Sequence, residues 1–247
     1  MIEEEIDHHP SHPGYKLKQE NMERPYTCDG CKELGFGTCY TCTNTACNFH
    51  LHKDCVYPEE IISHPFFPNL YFHFLKEGFP NRYCDACGKD INGYVYHCYD
   101  KGYDLHPCCA KLPHVFENVS TDEGDEVNLV LEKKVSSKCY KCGKKKLSKE
   151  VENTWSYVSQ NKKVHFHVCC VKDMVCQSWK DGLQIEKVDA CPKLKVKLYK
   201  EKKWIGSGSK FGKLKKVLKI ALTLIIAAVI GDPTAMLVGV VTSLITH

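Results

Sequence analysis

The chain has no apolar run at its amino end, which reads Met-Ile-Glu-Glu-Glu-Ile-Asp. A secretory leader needs such a run, so none is expected, and the expected setting is the reducing cytoplasm. The phosphate-cradling GxxxxGK[ST], the nucleophile elbow GxSxG and the zinc-protease HExxH are missing as well. With them go the best-marked routes to phosphoryl transfer, acyl transfer and metalloproteolysis, and the chain is not expected to be an enzyme. Large apolar residues are scarce just where the motifs lie. The first motif region offers little beyond Phe36, Tyr40, Phe49 and Leu51. Modules of that size are usually stabilised by a metal or by disulfides, because their cores are too small.

Cysteine is what the chain has in plenty, with 17 in 247 residues interleaved with 13 histidines. Clustered cysteines in a reducing compartment serve metal or catalysis more often than disulfides. Their spacing repeats three times. Cys28-Asp29-Gly30-Cys31 is followed by His52-Lys53-Asp54-Cys55, Cys84-Asp85-Ala86-Cys87 by His106-Pro107-Cys108-Cys109, and Cys139-Tyr140-Lys141-Cys142 by His167-Val168-Cys169-Cys170. Each is a CxxC, a gap of 18 to 24 residues and an HxxC. Three thiolates and one imidazole complete a tetrahedral zinc shell, and zinc is the expected cofactor. The spacing predicts a small zinc-stabilised α+β fold in tandem modules at 8–65 and 66–116, with a degenerate third at 135–180. Each module is expected to fold on its own zinc, which supplies about 10 kcal/mol or more.

These phrases, with His9-Pro10-Ser11-His12-Pro13 and His64-Pro65-Phe66, resemble the plant divergent C1 family, the cysteine/histidine-rich C1 proteins. The resemblance covers about residues 8–180 and implies a second, interleaved zinc in each module. In the first module that site would use Cys42, Cys47 and His64, with His12 or His9 in place of the leading histidine, since Tyr15 holds that position. In the second module Cys98 is present but Lys101 stands where its partner belongs, with His73, His97 and His114 nearby. The third lacks the second pair. The family setting implies plant signalling or stress response and a non-catalytic adaptor that binds other proteins. Two other readings stay open: a diacylglycerol-type lipid sensor and a CxxC thiol-disulfide oxidoreductase. Against the first, only ten residues, Lys32 to Thr41, separate the CxxC from the next ligand pair, Cys42 and Cys47. Against the second, every CxxC has an HxxC companion.

Charge is segregated. Residues 193–219 hold eleven lysines against one acid, Glu201, while residues 1–192 are net acidic. Nucleic acid is therefore not an expected partner of the finger region. The basic linker ends in Lys213, Lys215, Lys216 and Lys219, beside an apolar tail at 220–246 interrupted by Gly231-Asp232-Pro233. A hydrophobic helical tail is expected there, either tethering the protein to a membrane from the cytosolic side or joining copies of the chain.

Overall fold

The computed structural model describes residues 4–120, 126–135, 137–146, 154–162, 164–180, 186–188, 191–193, 221–222, 224–226 and 228–229. Two compact units divide the chain, residues 1–111 and 112–247.

The first unit holds two four-stranded antiparallel sheets. One has the order β1 (Glu5–Ile6), β2 (Leu17–Thr27), β3 (Leu34–Cys42), β4 (His50–His52) and runs into the single turn α1 (Lys53–Val56). The other has the order β5 (Ile61–Ser63), β6 (Tyr71–Leu75), β7 (Val95–Cys98), β8 (Tyr103–Leu105) and runs into α2 (Pro107–Ala110). In the second unit β9 (Val115–Ser120), β10 (Glu126–Glu132), β11 (Ser156–Ser159) and β12 (His165–His167) form a third such sheet, continued by α3 (Val168–Lys180). A hairpin of β13 (Glu186–Val188) and β14 (Cys191–Lys193) follows. The sheets therefore begin and end away from the boundaries that ligand spacing implies. β5 precedes residue 66, and β9 and β10 carry the third sheet back to residue 115, well before 135. The alternation Val127-Asn128-Leu129-Val130-Leu131 lies on β10 and pairs with both β9 and β11.

One cross-strand pair recurs at the heart of each sheet. Tyr40 faces Leu51, Tyr96 faces Leu105, and Tyr157 faces Phe166, and all six side chains are buried. The aromatic body supplies apolar area that these small sheets otherwise lack. Each partner immediately precedes the histidine of an HxxC, so packing this pair sets that histidine at the strand end.

The two sheets of the first unit interlock. The amide of Tyr94 donates to the carbonyl of Gly30 at 3.0 Å, in the turn of the first CxxC. A side chain at Gly93 would put its Cβ onto that same oxygen, and one at Gly30 would lie 2.6 Å from the ring of Tyr94. Tyr94 completes the buried cluster formed by Leu17, Tyr26, Tyr40 and Leu51 of the first module. The first two modules are therefore not self-contained in packing, because one aromatic of the second is part of the core of the first.

Of the apolar tail, Ala221, Leu222, Leu224, Ile225, Ile226, Ala228 and Val229 are helical and buried within the chain. Lys213, Lys215, Lys216, Lys219 and the rest of the tail lie outside the described residues. No helix among the described residues is long and apolar enough to cross a membrane.

Candidate metal centres

Each CxxC forms the same turn. The amide four residues after the first cysteine donates back to its carbonyl: Lys32 to Cys28 at 2.9 Å, Gly88 to Cys84 at 2.7 Å, Gly143 to Cys139 at 2.9 Å. The amides of Cys28, Cys84 and Cys139 in turn donate to the carbonyls of Glu33, Lys89 and Lys144. The closing residue is left-handed in all three, with φ of 61° at Lys32, 70° at Gly88 and 71° at Gly143. Glycine meets that demand without strain and lysine does not.

The turn aims both thiols at the strand end that carries the ligand histidine. The amides of His52 and His106 donate to the sulfurs of Cys28 and Cys84, both at 3.4 Å. The short helix that follows returns Cys55, Cys109 or Cys170 to the same point. The result is three four-donor sets: Cys28, Cys31, His52, Cys55; Cys84, Cys87, His106, Cys109; and Cys139, Cys142, His167, Cys170. In each set all ligand atoms lie within 4.8 Å of one another. Every ligand is buried except Cys142, which is partly so. Sixteen of the cysteines, every candidate ligand among them, are free thiols.

The donor separations test the fit. Zinc–sulfur and zinc–nitrogen bonds of about 2.3 and 2.0 Å at tetrahedral angles place S and N about 3.5 Å apart. His52 Nδ1 lies 3.3 and 3.9 Å from Cys31 and Cys55, and His106 Nδ1 3.5 and 4.0 Å from Cys87 and Cys109. His167 Nδ1 lies 3.5 and 3.7 Å from Cys142 and Cys170. The far nitrogens face acceptors: His106 Nε2 the carbonyl of Asp90 at 3.1 Å, His167 Nε2 the carbonyl of Lys145 at 3.1 Å. A proton held there leaves Nδ1 a bare lone pair aimed at the sulfurs, as metal ligation requires. Glu33 of the first module also reaches His106 Nε2, at 3.5 Å.

Electrostatics point the same way. Burial pushes the Cys28 thiol up, but hydrogen bonds from Cys31, Cys55 and His52 outweigh it and hold the group well below its ordinary range. A hydrogen bond from Cys170, against burial, brings Cys139 down to about 3, with help from His167. The companions go the other way: contact with Cys108 and Cys28 raises Cys31, and contact with Cys28 is the main cause that raises Cys55. A buried set that admits one thiolate readily and resists the next is one that a divalent cation completes.

A second kind of site sits at the opposite end of the first sheet. His12, Cys42 and Cys47 converge, with His12 Nε2 3.5 Å from the Cys47 sulfur and the His12 ring stacked on Phe49 at 4.2 Å. His9 is turned elsewhere, its Nδ1 accepting from the amide of Ser11 at 3.2 Å. His64 does not join this set. It opens the second module instead, where its ring packs near Phe66 and Phe67. Among the described residues no fourth Cys, His, Asp or Glu completes the group.

The second module differs at this pole. The turn His9–His12 reappears as His64–Phe67: the amide of His12 donates to the His9 carbonyl at 2.9 Å, and that of Phe67 to the His64 carbonyl at 2.8 Å. The next histidine nitrogen in each accepts from the amide two residues on, Ser11 and Phe66. Phe67 therefore stands where His12 stands. It packs against Tyr103 at 4.8 Å and Phe72 at 5.2 Å, and Cys98 remains buried with no metal set around it among the described residues. Cys98 is expected as a ligand; among the described residues an aromatic ring, Phe67, occupies the place that His12 holds in the first module. In the third module Ser159 holds the corresponding place, its hydroxyl bonded to Asn161 and to the amide of Val164. The repeated His-Pro-x-His/Phe-Pro phrase, aligned on itself, is the signal that reveals Phe67. Nothing in the ligand spacing marks Cys108, a non-ligand thiol within hydrogen-bonding reach of both Cys31 and Cys109.

No curated protein and no solved structure matches the chain. The family model described as the C1 domain matches residues 8–56, the module with both kinds of metal set, which is consistent with a C1-domain-containing protein.

Proposed function

We propose that the chain is a zinc-binding, non-catalytic adaptor of the divergent C1 type, active in signalling. The carrying observation is the closure of three Cys₃His sets, each with four donors and little access to water. Zinc in such a set has no position left for a substrate or a catalytic water, so its work is structural and the function falls to the surfaces it holds in shape. Thiol-disulfide exchange would need a free, activated thiol, whereas the CxxC cysteines are already shared with a histidine and a third thiol. The same reading places the protein in the cytoplasm.

A surface fit for protein contact lies on the second sheet. Ile61, Tyr71, Phe79 and Tyr99 expose 51, 60, 46 and 60% of their area around His73 and the buried His97. Exposed aromatics grouped in this way are typical of interfaces. The tail enters the reading as a folded part, since its described residues are covered by the chain itself. The lysine-rich stretch before it supplies charge that would draw the protein to an anionic surface.

The test is crosslinking of the full-length chain in cells, followed by mass spectrometry. Partners retained by the parent chain and lost from Tyr71→Ser/Tyr99→Ser, with zinc content unchanged, support an adaptor. A partner set indifferent to both this change and zinc removal would overturn it, as would turnover of a disulfide substrate by the zinc-loaded protein.

A further inference from the structure

Between the first two modules lies a cleft of about 270 Å³ that the metal sets do not use. Its walls are apolar, with Ile6 and Val56 from the first module and Phe74 and Tyr94 from the second. Its basic groups are His8, His9 and Lys76, and no aspartate or glutamate lines it. We propose that this cleft binds an amphiphilic carboxylate, its apolar body against Val56, Phe74 and Tyr94 and its head group at Lys76.

The cleft is preformed. Tyr94 is fixed by its amide bond to Gly30, by its hydroxyl against the Ser11 hydroxyl and by edge packing on Phe74 at 5.2 Å. Rigid walls reduce the ordering cost of binding, and a mostly apolar concavity with one oriented polar group is the usual form of a small-molecule site. The sign of the head group follows from charge. No ion pair holds Lys76 among the described residues, unlike Lys16, Lys18 and Lys111, each of which has an acidic partner. His9 does not compete for the anion. Its Nδ1 is engaged by Ser11, and burial first, then the charge of Lys76, keep its pKa below the ordinary value. A cation would meet Lys76 with no acid to offset it. A neutral ligand would leave the amine without the pairing that an anion offers.

The site is also placed to matter. Cys55, a ligand of the first metal set, lines the same cleft, and its walls come from both sides of the joint. A ligand seated there bridges the two modules and stabilises them together by mass action.

The experiment uses the full-length, zinc-loaded protein and three probes with one ten-carbon chain: decanoate, decanol and decyltrimethylammonium. Binding is followed by amide chemical-shift changes at Val56, Phe74, Lys76 and Tyr94. Decanoate is expected to bind at least tenfold more tightly than decanol, and decyltrimethylammonium more weakly than either. Lys76→Glu should cost decanoate tenfold or more and favour the cation, while zinc content stays unchanged. Lys76→Arg should keep decanoate binding, which separates a charge role from loss of fold. Equal affinity for the three head groups, shifts that map elsewhere, or decanoate binding untouched by Lys76→Glu would overturn the proposal. None of these outcomes bears on whether the fingers bind protein partners.

Discussion

At Lys32 the repeat exposes a residue that its position does not suit. The turn closes at φ 61°, where the other two modules place Gly88 and Gly143. A left-handed non-glycine residue costs about 1–2 kcal/mol, and the Lys32–Asp29 ion pair at 3.6 Å is half-exposed and offsets little of it. Lys32→Gly is therefore expected to raise the denaturation midpoint of the zinc-loaded protein, with a gain of about 1 kcal/mol. Gly93 is the converse. Its Cβ would meet the Gly30 oxygen that accepts the Tyr94 amide, so Gly93→Ala should cost about 1–3 kcal/mol by overpacking and expose the Tyr94 amide to hydrogen exchange. Asp104 carries a third case. It is buried, takes His97 Nδ1 on one oxygen at 2.7 Å and Arg82 Nε on the other at 2.6 Å, and donates its own amide to the Asp85 carboxylate at 2.7 Å. Asp104→Ala strands those partners and should destabilise the first unit by about 3 kcal/mol in chemical denaturation. Retention of full stability would show that water replaces the carboxylate at no cost.

At the scale of elements, one architecture carries three versions of its second pole: a metal set in the first sheet, an aromatic plug in the second, a hydroxyl–amide turn in the third. If the equivalence is right, chemistry can be moved between them. Phe67→His with Lys101→Cys supplies the second module with His, Cys98 and a further thiol, and native mass spectrometry should find one more zinc per chain than in the parent. An unchanged count would mean that the two turns are alike in hydrogen bonding but not in reach. The pattern also explains what sequence could and could not reveal. The four-donor sets were legible because CxxC and HxxC fix their donors within a turn and a strand end, and Cys28 to Cys170 assemble as the spacing requires. The surroundings of His64 and Cys98 were not legible, because spacing counts residues and cannot see which sheet a residue enters. His64 follows β5, already part of the second module, and Cys98 ends β7 opposite Tyr103. The share of Tyr94 in the core of the first module depends on a close backbone approach at Gly30 and Gly93, which no ligand pattern encodes.

For the whole molecule, that joint decides how metal loss propagates. Each closed set contributes about 10 kcal/mol or more of folding free energy, comparable to a domain's entire net stability, so losing one unfolds whatever depends on it. Within residues 1–111 the dependence is mutual. The first CxxC turn holds Tyr94, the Glu33 carboxylate reaches the zinc-ligand His106, and Cys108 lies against Cys31. Cys28→Ser should therefore remove exchange protection from β7 and β8 of the second module as well as from β3 and β4 of the first. Cys139→Ser acts in the other compact unit and should spare both. Chelation of the parent protein should proceed in the order of enclosure. The three-donor set of His12, Cys42 and Cys47, partly exposed, gives up its zinc first and without loss of the sheets, and the four-donor sets follow with unfolding. Hydrogen exchange read by mass spectrometry during the titration separates these steps. If Cys28→Ser leaves the amides of Tyr96 and Leu105 fully protected, the shared core around Tyr94 does not couple the modules, and each folds on its own metal after all.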